Sequence, residues 1–349
     1  MRYGRLTQTA WQRSVRRELH KRGKDVLFGP SPWEECSGIK DGGGGAFLWA
    51  DAHAVGNSAR TGYYAVLHAA GELAAKGARA ACVSVRILFP PEEEEEKLKA
   101  VTAGIEEACS RMDLQVTSLQ GETSCAAERI IVFVTAAGRF EGKNEQYAGL
   151  IGQTEAVGQQ KHRAAAGQEI VFCGYAGLEG MLRILDEAED ELGTRFVPDF
   201  LRKAKNLADR LVVPGQILPI FDAGVTAVFQ AGSGGVLAAL WEMAETLRVG
   251  FEADMSEISI RQETVEICEF YRLNPYQMAS SGSWLIVTED APRTIEVLEK
   301  AGARAGRLGV AKAQNARVIT SGEEVRYLDR PAPDELELWL AGRKQTDLR

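Results

Sequence analysis

Two stretches of the chain join a strand-like apolar run, a turn of small residues and a helix-like run. That arrangement presents backbone N–H groups and the positive end of a helix dipole to an anion. The first is QEIVFCG leading into Tyr175–Gly180, and the second is Phe229–Val236 (FQAGSGGV) leading into LAALWEMAETL. Turn geometry alone accounts for such glycines, so each is a candidate phosphate contact and no more. Asp51 sits toward the end of the strand-like AFLWADAHAV, and His53, two residues on, faces the same side of a strand. His53 can carry a proton, although one imidazole without a placed partner reads as structural. The run Glu92–Glu96 follows Pro90 and Pro91, and glutamates there favour the positive end of a helix dipole. They read as a solvated helix start, not a metal site.

The elements that must position these groups are legible from periodicity. Apolar residues from Thr61 to Lys76 (Tyr64, Leu67, Ala70, Leu73, Ala74) recur at helical spacing, and Gly77 ends the run as a C-terminal cap. ACVSVRILF reads as a strand. Pro90 and Pro91 are expected to open a helix whose apolar positions are Leu98, Val101, Ile105, Ala108 and Met112. A strand LQVTSL, the segment QGETS and a strand RIIVFVTAAG complete an α/β alternation. The Gly-, Gln- and Ala-rich stretch from Phe140 to Ala166 is the expected link to a second half. At the N terminus, Trp11–Lys24 has amphipathic helical spacing and a basic, solvated face.

The 349 residues are too many for one ordinary core and fit two domains. The net charge of −8 argues against general nucleic-acid binding, which needs clustered Lys and Arg. No apolar run reaches the roughly 18 residues that span a bilayer, and the basic N-terminal stretch lacks the apolar core of a secretory signal, so the cytoplasm is the expected compartment. The six cysteines lie far apart with no CxxC and no His at metal-ligand spacing, and most are expected as packed thiols in a reducing compartment.

Several segments, in order, resemble the aminoimidazole-ribonucleotide synthetase (PurM-like) superfamily, on the branch of HypE-like hydrogenase maturation factors and AIR synthase-related proteins. They are residues 5–30, ILFPPEEEEEKLK, YAGLEG, GGVLAALWEMAE, residues 260–287 and RYLDRPAPDELE. The resemblance implies an α/β (α+β) two-domain PurM-like fold: residues 1–155 an N-terminal domain for ATP binding and dimerisation, 165–335 a C-terminal α/β domain, 336–349 a tail. It implies a homodimer whose N-terminal sheets pair into a barrel-like core. It also implies ATP with Mg2+ as cofactors, held by acidic side chains and glycine-rich turns, and phosphoryl transfer to an acceptor.

Carried over position by position, the resemblance implies metal ligands at Glu35, Asp51, Glu72 and Glu122, and nucleotide contacts at those residues with Gly71, Gly121, Thr123, Gly234 and Gly235. Relatives carry Gly-Asp-Asp-Ala-Ala where this chain reads Trp33-Glu34-Glu35-Cys36-Ser37, and an alternative register puts Asp41 in the first acidic position. Asn-Asp-Leu-Ala becomes Gly71-Glu72-Leu73-Ala74, and Gly-Gly-Asp-Thr becomes Gln120-Gly121-Glu122-Thr123. Each change keeps a carboxylate and lengthens it by a methylene. In the second half a family aspartate gives way to Gln230, and the tail GRKQTDLR lacks the cysteine on which hydrogenase maturation carries its carbamoyl group. Two readings follow, with enzyme status open between them. One is an Mg–ATP-dependent enzyme acting on an unassigned acceptor, with a partner protein able to complete its site. The other is a non-catalytic dimeric homologue that binds or scaffolds.

Overall fold

The computed structural model describes residues 3–21, 23–28, 30–41, 45–140 and 165–346, with side chains through 343. The expected link between the halves falls mostly on residues 141–164 and lies outside the described residues. The first half consists of α1 (Gln8–Ser14), β1 (Cys36–Lys40), β2 (Ala46–Gly56), α2 (Thr61–Ala75), β3 (Arg79–Phe89), α3 (Glu95–Met112), β4 (Gln115–Thr123) and β5 (Ile130–Phe140). Its sheet has the order β1-β2-β5-β3-β4, antiparallel except for the parallel β3–β4 pair.

The second half holds β6 (Glu169–Cys173), α4 (Leu178–Glu187), α5 (Glu189–Gly193), α6 (Pro198–Asn206), α7 (Pro214–Ile217) and β7 (Val225–Gln230). It continues with α8 (Gly235–Leu247), β8 (Gly250–Asp254), α9 (Gln262–Tyr271), β9 (Trp284–Thr288), α10 (Ala291–Lys300), β10 (Ala305–Lys312), β11 (Arg317–Ser321), β12 (Glu324–Tyr327) and α11 (Glu335–Thr346). The seven-stranded sheet runs β12-β11-β8-β10-β6-β9-β7. Both halves are mixed α/β, each built on its own sheet, as the resemblance implies.

Period-two alternation builds the first sheet. Ala46, Leu48, Ala50, Ala52 and Ala54 of β2 are buried beneath α2, while Phe47, Asp51 and His53 point to the other, open face. The small inward residues let α2 lie close against β2 and β5. On its far side α2 meets α3 and β7, so it is enclosed from every direction. Of its fifteen residues only His68 and Glu72 are not buried.

Four local expectations are corrected. The N-terminal helix covers Gln8–Ser14, capped by Thr7 Oγ1 accepting from Ala10 N at 3.2 Å, and does not continue to Lys24. No described side chain from Gln12 to Lys21 is buried, so nothing offsets the cost of extending it. The acidic helix begins at Glu95, after an extended Glu94, and not at the prolines. The residue before a proline is held extended, and Phe89 closes β3 with Pro90 just beyond it. Asp51 stands in the middle of β2, because pairing with β5 continues to Gly56↔Ile130. The segment Gln120–Thr123 is strand, pairing with Arg86–Phe89. Among the described residues no helix is long and apolar enough to cross a membrane.

Leu73 is fully buried in α2. Leu73→Ala is expected to lower stability by about 2–5 kcal/mol through lost burial and a residual cavity, measured as an earlier midpoint in urea denaturation.

Candidate functional site

The two unburied residues of α2, with Lys76 just beyond its end, form one stripe at i, i+4 and i+8. The stripe opens into a cleft between α2, the segment before β1, the end of β7 and the start of α8. His68 Nε2 lies 3.1 Å from Glu35 Oε2 and 3.8 Å from Glu72 Oε1. Gln230, at the end of β7, donates from Nε2 to Glu72 Oε1 (2.8 Å) and to the His68 carbonyl (3.0 Å). Gly71 makes this approach feasible, since a Cβ there would collide with the Gln230 amide. Lys76 Nζ pairs with Glu34 Oε2 at 2.8 Å, and the Cys36 amide donates to the other oxygen of Glu34 at 3.0 Å.

Arg5 reaches into the cleft from the N-terminal segment. Its guanidinium pairs with Glu35 and, at 2.5 Å, with Glu242 Oε1 of α8. Gln8 Nε2 adds a 2.9 Å bond to Glu245 Oε2 one turn further along α8. Burial sets the protonation of the groups around Arg5. It pushes Glu242 up to about 6 in spite of Arg5, and it pushes His68 below its ordinary value although Glu72 opposes the shift. The Cys36 thiol, buried beside Glu34, is raised well above its ordinary value and is a packed side chain, not a nucleophile. Cys125 differs in being exposed.

The glycine turn before α8 adjoins this cleft. Gly234 and Gly235 have φ of +82° and +66°, which only glycine adopts without strain. The Gly234 N–H, at the head of a thirteen-residue helix, donates to Asp334 Oδ2 at 2.6 Å. Asp334 also accepts from Leu336 N at 2.8 Å, and burial pushes its carboxyl up to about 6 against those two donors. A carboxylate of the chain itself thus lies where an anion would meet the turn. Beside it opens a cavity of about 310 Å³, with Arg5, Trp33, Trp241, Arg330 and Asp334 in its walls.

Of the residues assigned from the family pattern, Glu35 and Glu72 come together, with Gly71 on the same helix and Gly234 and Gly235 at the adjoining turn. Asp41 lies at the other end of β1, accepting from Gly45 N at 2.9 Å. Asp51 points to the opposite face of the sheet and accepts from Thr135 Oγ1. Gly121, Glu122 and Thr123 are exposed on β4, where Glu122 meets Arg86 at 3.3 Å. His68, Arg5, Asp334 and the hydrogen bonds of Gln230 were missed. For His68 the signal was in the sequence: His and Glu four apart on a helix share a face.

Family comparisons bear on this geometry. The family described as AIR synthase related protein, N-terminal domain, matches residues 47–140, and its C-terminal domain matches residues 165–321. A hydrogenase expression/formation protein of Methanocaldococcus jannaschii is 24% identical over 282 residues, covering 79% of this chain and 77% of its own. The solved structure of the hydrogenase maturation protein HypE in complex with ATP superposes with a TM-score of 0.61 at 16% identity, covering 95% of this chain and 94% of that one. HypE in a HypE–HypF complex gives 0.64 at 16% identity, covering 84% and 93%. At these identities the structural likeness speaks for the fold.

Glu242 carries a checkable consequence. Its folded pKa is above that of a free glutamate, so between about pH 6 and 4.5 the folded state holds more protons and the group's contribution to stability grows as pH falls. Replacing it by Glu242→Gln is expected to remove about 2 kcal/mol of that pH dependence, read as the difference between wild-type and variant unfolding free energies across pH 7 to 4.5.

Proposed function

The chain belongs to the AIR synthase related family, and on that premise we propose that it is a HypE-like protein that binds Mg–ATP in the cleft beside α2. The observation that carries this reading is the convergence of Glu35, Glu72 and Glu242 on one cleft that adjoins the glycine turn and its cavity. The volume lies at the low end of the range for small-molecule sites. Magnesium wants hard oxygen ligands and keeps several waters, so Glu35 and Glu72 suffice as protein ligands beside phosphate oxygens. When bound, the ion neutralises phosphate charge.

The chain's own residues do the rest. Arg5, once released from Glu35, offers its planar fork of N–H donors to phosphate oxygens. Burial lowers the Lys76 pKa, but its neighbours, Glu34 foremost, together outweigh that and raise it, so Lys76 supplies a second cation at the cleft. Trp33 and Trp241 offer aromatic faces to a base. The Gly234 N–H becomes a phosphate donor when Asp334 withdraws or is protonated. The proposed chemistry is phosphoryl transfer to an acceptor, resting on positioning and charge neutralisation. The same reading includes the division into domains at residues 1–155 and 165–335.

It also assigns the open face of the first sheet to a homodimer. Phe47 and Phe133 are each about two-fifths exposed there, beside Asp51 and His53. Asp51 and Glu122 would enter the site only through that assembly. HypE occurs in a HypE–HypF complex, which supports a partner protein here as well.

A second reading has its own support. Arg5 already neutralises two of the three carboxylates, and Asp334 already fills the Gly234 N–H. A chain so satisfied internally serves as a dimeric binding or scaffold protein without catalysis.

Thermal unfolding with millimolar Mg–ATP separates the two. Ligand at about 100 times its dissociation constant stabilises by roughly 2.7 kcal/mol, and that gain is expected to vanish in Glu72→Ala and in Glu35→Ala. An unmoved midpoint with ATP, ADP and a nonhydrolysable analogue would leave the scaffold reading, and a shift that survives both substitutions would remove the assigned site.

A further inference from the structure

The cation-binding cluster of the cleft contains a nitrogen. We infer that Glu35, His68 and Glu72 form a site for a divalent transition metal of the manganese-to-zinc row, and that such a metal displaces Arg5. The inference rests on reading Glu35 and Glu72 as cation ligands, but it needs no nucleotide.

Geometry supports it first. One ligand atom from each of the three residues lies within 4.8 Å of the other two. His68 and Glu72 share a helix face, so their relative placement is fixed by α2, and Glu35 arrives from the segment before β1. Metal–ligand bonds of about 2.1 Å place neighbouring ligand atoms about 3.0 to 3.4 Å apart in octahedral or tetrahedral coordination. The observed separations of 3.1 Å and 3.8 Å from His68 Nε2 are already near that spacing. Next to the two carboxylates, a void of about 20 Å³ walled by Glu35, Glu72, Gln230, Arg5 and Lys76 has room for one water-sized occupant.

Unmet polar capacity supports it independently. His68 Nε2 is buried and makes no hydrogen bond, its nearest acceptor being the Glu35 carboxylate at 3.1 Å. Gln230 is 5% exposed and lines the same void, and its Oε1 is buried without a partner. Buried polar atoms are ordinarily satisfied, and a cation held by the two carboxylates would give His68 Nε2 a partner.

Chemistry then selects the class of metal. Magnesium demands oxygen ligands, whereas an imidazole adds affinity along the series from Mn2+ to Zn2+. A divalent ion balances the charges of Glu35 and Glu72, and Arg5 retains Glu242 when it leaves.

The test is a calorimetric titration of the metal-free full chain with Co2+ and with Mg2+, in the absence of nucleotide. One Co2+ per chain is expected to bind at least about tenfold more tightly than Mg2+. His68→Ala is expected to cost Co2+ at least about tenfold and leave Mg2+ unchanged, and Arg5→Ala to tighten Co2+ by removing its competitor. X-ray absorption of the cobalt-loaded wild type keeps the question answerable if the His68 variant does not fold, and should show one imidazole among oxygen ligands. Co2+ binding no tighter than Mg2+, indifference to His68→Ala, or thiolate ligands at the metal would overturn the inference. Failure here beside an intact Mg–ATP shift removes only the transition-metal assignment. Co2+ binding that depends on His68, in a chain without an ATP shift, upholds this site and removes the nucleotide reading.

Discussion

A helix enclosed on every side admits ionisable side chains only where each one finds a partner, because a buried charge left alone costs several kcal/mol. α2 is such a helix, and the rest of the cleft is arranged around that requirement. His68, Glu72 and Lys76 leave it on one stripe, and three separate parts of the chain come to meet them. The segment before β1 supplies Glu34 and Glu35, β7 supplies Gln230, and the N-terminal segment supplies Arg5. The stripe thereby ties the N-terminal segment and both sheets to one another. Its pairing is electrostatic and local, whereas the apolar faces of α2 set the distance between the sheets.

Arg5 joins two of the cleft's carboxylates. A guanidinium shared by Glu35 and Glu242 neutralises both carboxylates and, on the proposed reading, is the group that an incoming cation replaces. The competition runs between one fixed positive charge on a tethered segment and a divalent ion free in solution. Asp334 stands in the corresponding position toward anions, holding the Gly234 N–H with a carboxyl already pushed up to about 6. Positive and negative stand-ins from the same chain lie on either side of one cavity. On the proposed reading, the cleft takes a ligand carrying both a cation and an anion only when both stand-ins yield.

Much of the frame was legible in the sequence because it follows from local periodicity. The alternation of β2, the apolar run of α2 and its stop at Gly77 need only nearest neighbours in sequence. Other features depended on distant pairing. Gln120–Thr123 is strand because Arg86–Phe89 lies beside it, and Asp51 sits mid-strand because β5 continues to pair past it. Of the family-derived acids, Glu35 and Glu72 share the cleft, while Asp51 and Glu122 lie elsewhere on the same sheet. Gln230 read from sequence as a lost carboxylate, yet its amide is the donor that holds Glu72. Arg5 was beyond sequence reasoning altogether, since nothing local marks a residue that pairs with another 237 positions away.

The most direct measurement is a crystal structure of the full chain grown with magnesium and a nonhydrolysable ATP analogue. The phosphates are expected next to Glu35 and Glu72, with Arg5 moved off Glu35 and Asp334 no longer on the Gly234 N–H. An analogue bound elsewhere, with Arg5 still joining Glu35 to Glu242, would contradict the reading of this cleft as the ligand site.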